Sequence, residues 1–482
     1  MRRAVLLAVV VALVAACDSS SSSRGASGGS FRLALPVLPR TIDPALARDL
    51  PALNVSHQLY AGLTRFSGNH VVPDLSDRWK TSVGGRVWTF HLRGGLRWSD
   101  GSPITSGQFK AAWIRALRPS TGAAYAHAEM LNIRGARAFR KGARASVVEI
   151  AAPDPRTLRV GLEHAVPWLD QQVAYPIFAP YRRGAFSGPF RLVSRDRRRI
   201  VLAKNASYRG AEHVSPTRVT LVTSQRAVDG VLPNELIGPG LPWIETGVGP
   251  ARYWDKRGFK SLPSLTVEYL WIGVRRPRLR SAETRRALAA AIASVRSLRT
   301  FAPPGVLGYG GLKSAATRGA GRPPRLRLRL GYVIQDRAAP EWFHFLARFT
   351  DAGVRFTPLA VPTPARLRAR LGEFDLALLG WPGEYFDAYN HYDLFTCTSG
   401  LTAGFCNRKF DQLMHRTVLT LDADNRRKLE RRLERMLSGR HGSFPAIPLA
   451  NENNAWVWFK PSLRGFAYSA IGFWDLRGLR RR

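Results

Sequence analysis

The chain has 482 residues, which is long enough for two or three domains, each with its own hydrophobic core. Of these residues, 45% are hydrophobic and 10% aromatic, a composition typical of a globular protein and not of a disordered chain. Its 73 basic and 34 acidic residues leave a net charge of +39. The excess is nearly all arginine and is spread along the chain without a basic stripe among aromatic residues, which argues against nucleic-acid binding. Two explanations of the net positive charge remain. One is attraction to anionic lipid or wall polymer, and the other is compositional bias without function.

The first thirty residues have the pattern of an export signal. Residues 1–16 combine Met1-Arg2-Arg3 with an apolar run too short to span a bilayer, and Cys17 follows. The segment Val14-Ala15-Ala16-Cys17 resembles a bacterial lipobox, which implies cleavage before Cys17 and a lipid on its sulfur. An ordinary secretory signal with an incidental cysteine is the alternative. Residues 17–30 form a Ser/Gly-rich tether, so we expect an extracytoplasmic protein, lipid-anchored to the outer face of the cell membrane.

The first half of the remaining chain predicts short strands and one capped helix. Val87–Leu92 alternates and precedes Gly94-Gly95, which predicts a hairpin that returns through Leu96–Trp98. Thr105 or Ser106 caps a predicted helix through GQFKAAWIRAL. The other strands predicted here are Phe31–Leu35 and a second hairpin of Phe190–Val193 with Arg199–Ala203.

The second half predicts a parallel sheet. Strands at Arg325–Ile334, Val354–Val361 and Phe374–Leu379 alternate with helices at Ala339–Thr350 and Pro364–Leu371. This β-α-β-α-β order is typical of an α/β fold with helices on the faces of the sheet. In such sheets, ligands bind just beyond the carboxyl ends of the strands.

The segment that follows the third strand, GWPGEYFDAYN, is therefore the candidate binding loop. It holds the acids Glu384 and Asp387 and the aromatic residues Trp381, Tyr385 and Tyr389. This pattern predicts a binding site in which the aromatic side chains form a flat apolar surface (the apolar floor) and an acid provides a charge that orients the ligand. Aromatic packing with solvated acids is the alternative.

Five segments in order resemble family 5 extracytoplasmic solute-binding proteins, the dipeptide- and oligopeptide-binding components of ABC importers. The segments are Leu59–Leu117, SGPFRLV with LAKNASYRG, EYLWIGV with ETRRALAAAI, GWPGEYFDAYNHYDLF, and Pro445–Phe466. The resemblance implies an α/β, three-lobed, periplasmic-binding-protein-like clamp of type II with an inserted extra lobe, which closes by a hinge.

The resemblance also implies where the lobes divide. Lobe I would combine residues 31–49, 156–261 and 451–482. Lobe II would be the insertion at residues 50–155. Lobe III would cover residues 262–450 and contain the β-α-β-α-β segment.

The same resemblance implies ligand-binding residues in the candidate loop. In peptide-binding members, an acid three residues after the loop tryptophan pairs with the peptide's free α-amino group. Glu384 holds that position relative to Trp381, although the family usually has aspartate, whose side chain is one methylene shorter. Trp381 and Tyr385 would bind ligand with it. Asp387 matches a second acid of the motif, for which a structural role in the loop is favoured over a ligand contact.

Two further ligand-binding residues are expected away from the loop. An edge strand near Leu38 to Arg40 should pair with an extended ligand backbone, so that Arg40 could meet a carboxylate. Trp271, in a strand at Val267–Ile272, is also assigned to the ligand. Gly273 stands where members usually carry asparagine.

Cys397 and Cys406 have a spacing that fits no zinc-ligand pattern, even with His391 and His415 nearby. Exported thiols tend to oxidise, and the family resemblance implies a disulfide in this loop. A metal pair and free thiols are the alternatives. The disulfide would brace the loop that carries Trp381 and Glu384.

The sequence thus predicts a substrate-binding component of an ABC importer that captures peptides and delivers them to a permease. No enzymatic chemistry, cofactor or metal is expected, and the partners would be a peptide, permease subunits and the membrane, with the protein a monomer. Alternatives are the same fold with a nickel chelate, an amino-acid conjugate or an oligosaccharide as cargo, an extracytoplasmic hydrolase, or a peptide-sensing receptor without transport. A hydrolase would need a triad or two poised carboxylates, which the sequence does not indicate.

Overall fold

The structure is a computed structural model that describes residues 29–35, 37–82, 84–223, 236–237, 259–295, 300–309, 321, 323–333, 353–399, 404–450, 454–458 and 463–481. Cys17 with the predicted signal, most of the tether, and the predicted helix at Ala339–Thr350 lie outside the described residues. None of the helices in the described ranges has the length and hydropathy needed to cross a bilayer.

The described strands follow one another in chain order. They are β1 Ser30–Leu35, β2 Thr64–Ser67, β3 His70–Pro73, β4 Ser76–Ser82, β5 Val87–Leu92, β6 Ile150–Asp154, β7 Thr157–Gly161, β8 Phe190–Arg195, β9 Arg199–Lys204, β10 Arg218–Thr223, β11 Leu236–Ile237, β12 Phe259–Pro263, β13 Val267–Ile272, β14 Leu326–Val333, β15 Val354–Val361, β16 Leu376–Trp381, β17 Ala446–Ala450, β18 Asn454–Trp458, β19 Leu463–Arg464, β20 Ala467–Tyr468, β21 Trp474–Asp475 and β22 Arg480–Arg481.

The described α-helices lie between these strands. They are α1 Leu50–Leu59, α2 Ser106–Leu117, α3 Ala124–Glu129, α4 Ala136–Arg140, α5 Leu169–Gln172, α6 Ala282–Val295, α7 Pro364–Ala369, α8 Tyr389–Tyr392, α9 Arg408–Leu419 and α10 Ala423–Ser438.

Three sheets dominate the described fold. The first has the order β11-β1-β10-β9-β8, the second β4-β5-β7-β6, and the third β15-β14-β16-β13-β17. The predicted strand at Phe31–Leu35 and the hairpin of β8 with β9 are confirmed. Strand β7 at residues 157–161 belongs to the second sheet, so that sheet crosses the predicted boundary between residues 155 and 156. The lobe boundaries themselves stay a prediction.

The third sheet positions the candidate loop. Strands β14, β15 and β16 are parallel, as the β-α-β-α-β pattern predicts, and α7 confirms the second predicted helix. Strand β13 runs antiparallel between β16 and β17 and is buried along its whole length, which explains its nearly continuous hydrophobic sequence. The pairing of Val267 with Trp381 places the start of the loop against the beginning of β13.

Helix α2 forms where its cap and periodicity predict it. Thr105 is the N-cap, and the side chain of Gln108 accepts a hydrogen bond from its backbone N–H at 2.9 Å. Phe109, Trp113 and other residues at spacings of three and four are buried on one face. The indole of Trp113 donates a hydrogen bond to the carbonyl of Phe178 at 2.7 Å, which satisfies its only polar atom.

Helix α1 binds the last part of the chain through two buried amides. Asn54 donates a hydrogen bond to the carbonyl of Gly472 at 2.9 Å and accepts one from the N–H of Trp474 at 2.7 Å. Gln58 donates to the carbonyl of Trp474 at 2.9 Å. The beginning and the end of the described chain are thus held in one body.

The predicted hairpin that pairs Val87–Leu92 with Leu96–Trp98 is wrong. Strand β5 pairs with β4 on one edge and with β7 on the other, so no edge of it remains for residues 96–98. The chain after Gly95 folds on itself instead, with hydrogen bonds from the N–H of Trp98 to the carbonyl of Ser102 and from Ile104 to Leu96.

The predicted edge strand near Leu38 to Arg40 is also wrong in its secondary structure. Residues 38–40 are described and form no strand. Pro39 lacks the N–H that a strand ladder needs, and its carbonyl accepts a hydrogen bond from Arg195 at 2.7 Å. Arg40 is exposed there, so its expected contact with a ligand carboxylate stays a prediction.

Candidate functional site

The candidate loop is held at both ends by backbone contacts. It leaves β16 at Trp381, and the N–H of Gly383 donates to the carbonyl of Leu265. Further along, Asp387 forms a bridge with Leu307, and the chain enters α8 at Tyr389. The loop therefore presents Glu384 and Tyr385 from a fixed backbone, just beyond the carboxyl end of a strand in the third sheet.

Asn390 organises the start of the loop. Its Oδ1 accepts hydrogen bonds from the backbone N–H of Glu384 at 3.0 Å and from the indole N–H of Trp381 at 3.2 Å. Asn390 is buried. One amide thus fixes Trp381 and Glu384 relative to each other.

Glu384 meets a second acid, Glu129, at the end of α3. The two carboxyl groups interact, and Nε2 of Gln172 donates to Oε2 of Glu129 at 2.8 Å. Burial and the charge of Glu384 raise the pKa of Glu129 well above its usual range. Burial also raises the pKa of Glu384. The hydroxyl of Tyr175 donates to the backbone carbonyl of Glu384 at 2.6 Å, which ties the loop to the segment after α5.

The Glu129–Glu384 pair has no cation beside it in the described part of the chain. Three other acids of low exposure do have arginine partners, and these pairs are Asp387 with Arg426, Asp43 with Arg115, and Asp475 with Arg477. Because burying an acid without a cationic partner is costly, this pair is complementary to a cation from outside.

Aromatic rings pack beside the acid pair. Trp168 stacks on Tyr385 with ring centroids 4.8 Å apart and an angle of 8°, and it contacts Tyr389 at 4.7 Å. Tyr385 is buried, whereas Trp381 and Tyr389 are partly exposed. The predicted apolar floor is therefore formed in part by Trp168, which lies outside the loop.

Asp387 belongs to a buried charge cluster. Its Oδ2 lies 3.0 Å from Nε of Arg426, and its Oδ1 accepts the N–H of Tyr389. Both carboxylate oxygens are thus used within the protein, in keeping with the structural role that the sequence favours. A ligand contact for Asp387 stays a prediction.

Trp271 lies at the other end of the strand pair from the loop. It pairs with Ala377, four residues before Trp381, a distance of about 13 Å along the strand. Trp271 is buried and lines a cavity of about 680 Å³ together with Arg275, Arg276, Phe374 and the two cysteines. The structure therefore does not bring Trp271 or Arg40 into the contacts of Glu384, and their assignment to the ligand stays a prediction.

The predicted disulfide between Cys397 and Cys406 is confirmed. The N–H of Cys397 also donates to the carboxylate of Asp411 on α9. The disulfide therefore joins the chain that follows α8 to the start of α9. His391, which lies near the cysteines in the sequence, donates a hydrogen bond from its ring Nε2–H to the carbonyl of Leu265 at 2.9 Å, and burial lowers its pKa to about 4.

Sequence reasoning missed the residues that complete the acid site. Glu129, Gln172, Tyr175 and Trp168 belong to segments without a recognisable motif, and only the tertiary fold brings them to the candidate loop and its acid pair. Asn390 lies inside the candidate binding loop, six residues after Glu384. Its amide is the one local signal in the sequence from which a hydrogen-bond partner for the start of the loop could be predicted.

Comparison with known proteins identifies the class that this fold and site define. Residues 70–298 match the bacterial extracellular solute-binding proteins, family 5, middle region. Over 467 residues the chain is 27% identical to the "Probable deoxycholate-binding periplasmic protein YgiS" of Escherichia coli (strain K12), covering 85% of this chain and 86% of YgiS.

Solved structures show the same clamp fold. The Escherichia coli murein tripeptide binding protein MppA aligns with a TM-score of 0.70 at 20% identity, over 95% of this chain and 99% of MppA. Haemophilus influenzae OppA in complex with RPPGFSPFR aligns with a TM-score of 0.70 at 18% identity, over 94% and 99% of the two chains. The molecule thus has the clamp fold of these periplasmic binding proteins, and its residues 70–298 are a family 5 solute-binding protein region.

Proposed function

We propose that this protein captures peptides with a free α-ammonium group and delivers them to a permease of an ABC importer. The observation that carries the proposal is the Glu129–Glu384 pair, a buried acid and a partly buried acid without a cationic partner among the described residues. Buried charge is costly unless it is paired, so this site favours a ligand that brings a positive charge.

The names of relatives support peptides as the cargo. MppA and OppA are named as murein peptide- and oligopeptide-binding proteins, and DppE of Bacillus subtilis as a dipeptide-binding protein. YgiS is named for deoxycholate, which is an anion. The acid pair of this chain would repel an anionic group at the same place, so the site chemistry favours peptides over such a cargo.

The proposed setting follows from the beginning of the sequence. We infer that residues 1–16 act as a lipoprotein signal peptide and that Cys17 carries the lipid anchor at the outer face of the cell membrane. The protein would act as a monomer, without enzymatic activity, and would meet its permease subunits at that membrane. Relatives named as periplasmic agree with an extracytoplasmic location.

Thermal melting with peptides tests the proposal. A ligand that binds only the native state stabilises it by RT ln(1 + [L]/Kd), so pooled short peptides should raise Tm by several degrees. The same pools with acetylated amines should give no shift, because an acetylated amine carries no charge for the acid pair.

Two results would contradict the proposal. Equal shifts with free and acetylated pools would remove the ammonium from recognition. A shift with deoxycholate, but with neither peptide pool, would assign the clamp another cargo.

A further inference from the structure

Glu129 and Glu384 bring two interacting carboxyl groups to one place. Two ionised carboxylates have only acceptor atoms, so a hydrogen bond between them requires one carboxyl to be protonated. Glu129 is 6% exposed, and Gln172 holds its Oε2 at 2.8 Å. The acid that faces the proposed ammonium site is therefore a pair of carboxyl groups that can share one proton, and not a single carboxylate.

Among the described residues, the groups around this pair supply no positive charge. Tyr125 and Tyr175 face it, and burial raises the pKa of Tyr125 to about 12 and that of Tyr175 further, so both stay neutral. Asn390 and Gln172 contribute neutral amides. Asp393 adds only negative charge.

We propose that Glu129 is a second ligand-binding residue, which holds the peptide's α-ammonium jointly with Glu384, and that the shared proton leaves to solvent as the ammonium enters. This inference rests on the proposed function, since it needs a ligand with an ammonium group. The charge balances: the pair goes from one negative charge to two, the peptide adds one positive charge, and one proton passes to the buffer.

Proton release gives peptide affinity a defined dependence on pH. Where the pair carries its proton, the binding constant rises by up to about tenfold per pH unit, because each binding event releases a proton. The rise ends when the pair is already ionised, or when the peptide amine itself loses its proton near a pKa of about 8. A lone Glu384 carboxylate with an ordinary pKa would give a flat profile between about pH 6 and 7.

Calorimetric titration of the full chain at a single pH, in two buffers of unequal ionisation enthalpy, tests the inference. The probes are trialanine and whichever free-amine peptide raises Tm most in the melting experiment. For the unchanged protein, the difference in heat between the buffers should correspond to nearly one proton released per peptide.

Two variants separate Glu129 from other sources of protons. Glu129→Gln keeps the shape and can still hydrogen-bond to Glu384, but it has no proton to release, so its heats should agree between buffers. The variant's affinity for peptide should equal that of the unchanged protein at low pH. As pH rises, the unchanged protein should bind peptide more tightly than the variant. Glu149→Gln, at an exposed glutamate paired with Arg134, should behave like the unchanged protein.

Each outcome of the titration either supports or overturns the inference. Peptide binding with equal heats in both buffers overturns the inference and leaves the proposed function intact, and this comparison stands even if Glu129→Gln does not fold. Proton release that persists in a folded Glu129→Gln variant also overturns it. If no free-amine peptide binds, the proposed function fails and the inference fails with it.

Discussion

Asn390 shows how a single buried side chain can set the geometry of a site. Its Oδ1 is the acceptor for both the N–H of Glu384 and the indole of Trp381, and it lies where water cannot readily replace it. A buried donor that loses its acceptor carries its full desolvation penalty.

We expect Asn390→Leu to lower the free energy of unfolding by about 1–3 kcal/mol, because two donors lose their acceptor, and to weaken peptide binding as well. Urea unfolding measures the first effect. Asn132→Leu is the matched control: Asn132 also makes two hydrogen bonds, both with His164, but at a more exposed position. Similar losses in the two variants would show that the buried acceptor has no special role.

Helix α10 supports the loop from behind through charged residues spaced four apart. Arg426, Glu430 and Glu434 all point into the protein. Arg426 pairs with Asp387, and Glu434 accepts hydrogen bonds from the N–H of Phe301 and the hydroxyl of Tyr392. Glu430 differs, because neither of its carboxyl oxygens has a hydrogen-bond partner among the described residues.

Glu430 should make stability depend on pH. Burial and the charge of Asp387 raise its pKa well above its usual range, whereas in the unfolded chain the pKa is about 4.3. Above that value the folded state keeps a proton that the unfolded state loses. The Glu430 contribution to the free energy of unfolding therefore falls as pH rises, by at most about 1.4 kcal/mol per unit.

Glu430→Gln removes the titrating group and keeps its shape. The Tm of this variant should exceed that of the unchanged protein, and the difference should be larger at pH 8 than at pH 5. Melting curves across that range, with Glu149→Gln as the control, measure the effect. A difference that stays constant with pH would show that Glu430 is ionised in the folded state.

At the scale of single elements, the sequence predicts a helix or strand correctly where the pattern that defines it is local. Helix α2, the β8–β9 hairpin and the strands of the third sheet follow from periodicity, caps and short turns. The pairing of Val87–Leu92 with Leu96–Trp98 failed because the strand's true partners, β4 and β7, are chosen by tertiary contacts. Glu384 could be placed by its motif, whereas Glu129 could not, because nothing in AYAHAE marks the residue that will face a distant loop.

At the scale of the whole molecule, charge should govern association with surfaces. The excess of 39 positive charges is distributed along the chain, so its effect on a partner is a long-range attraction and not a specific contact. Such attraction is screened over about 10 Å at 0.1 M salt.

We therefore expect the protein to cosediment with vesicles of anionic lipid at low salt and to be released as salt rises. Vesicles of neutral lipid are the control. Binding that is equal for the two lipids, or that resists high salt, would indicate a contact other than charge attraction.

The two amides of α1 that hold the last part of the chain also constrain when the protein can fold. Asn54 and its partner Gly472 are 418 residues apart, and β1 needs β10, which begins at Arg218. Gly472 and β10 leave a ribosome or an export channel long after α1 and β1 have emerged. Loop-closure entropy and distant partners both slow folding. The earliest segments must therefore wait unpaired while the rest of the chain emerges, which would suit the proposed export of an unfolded polypeptide across a membrane.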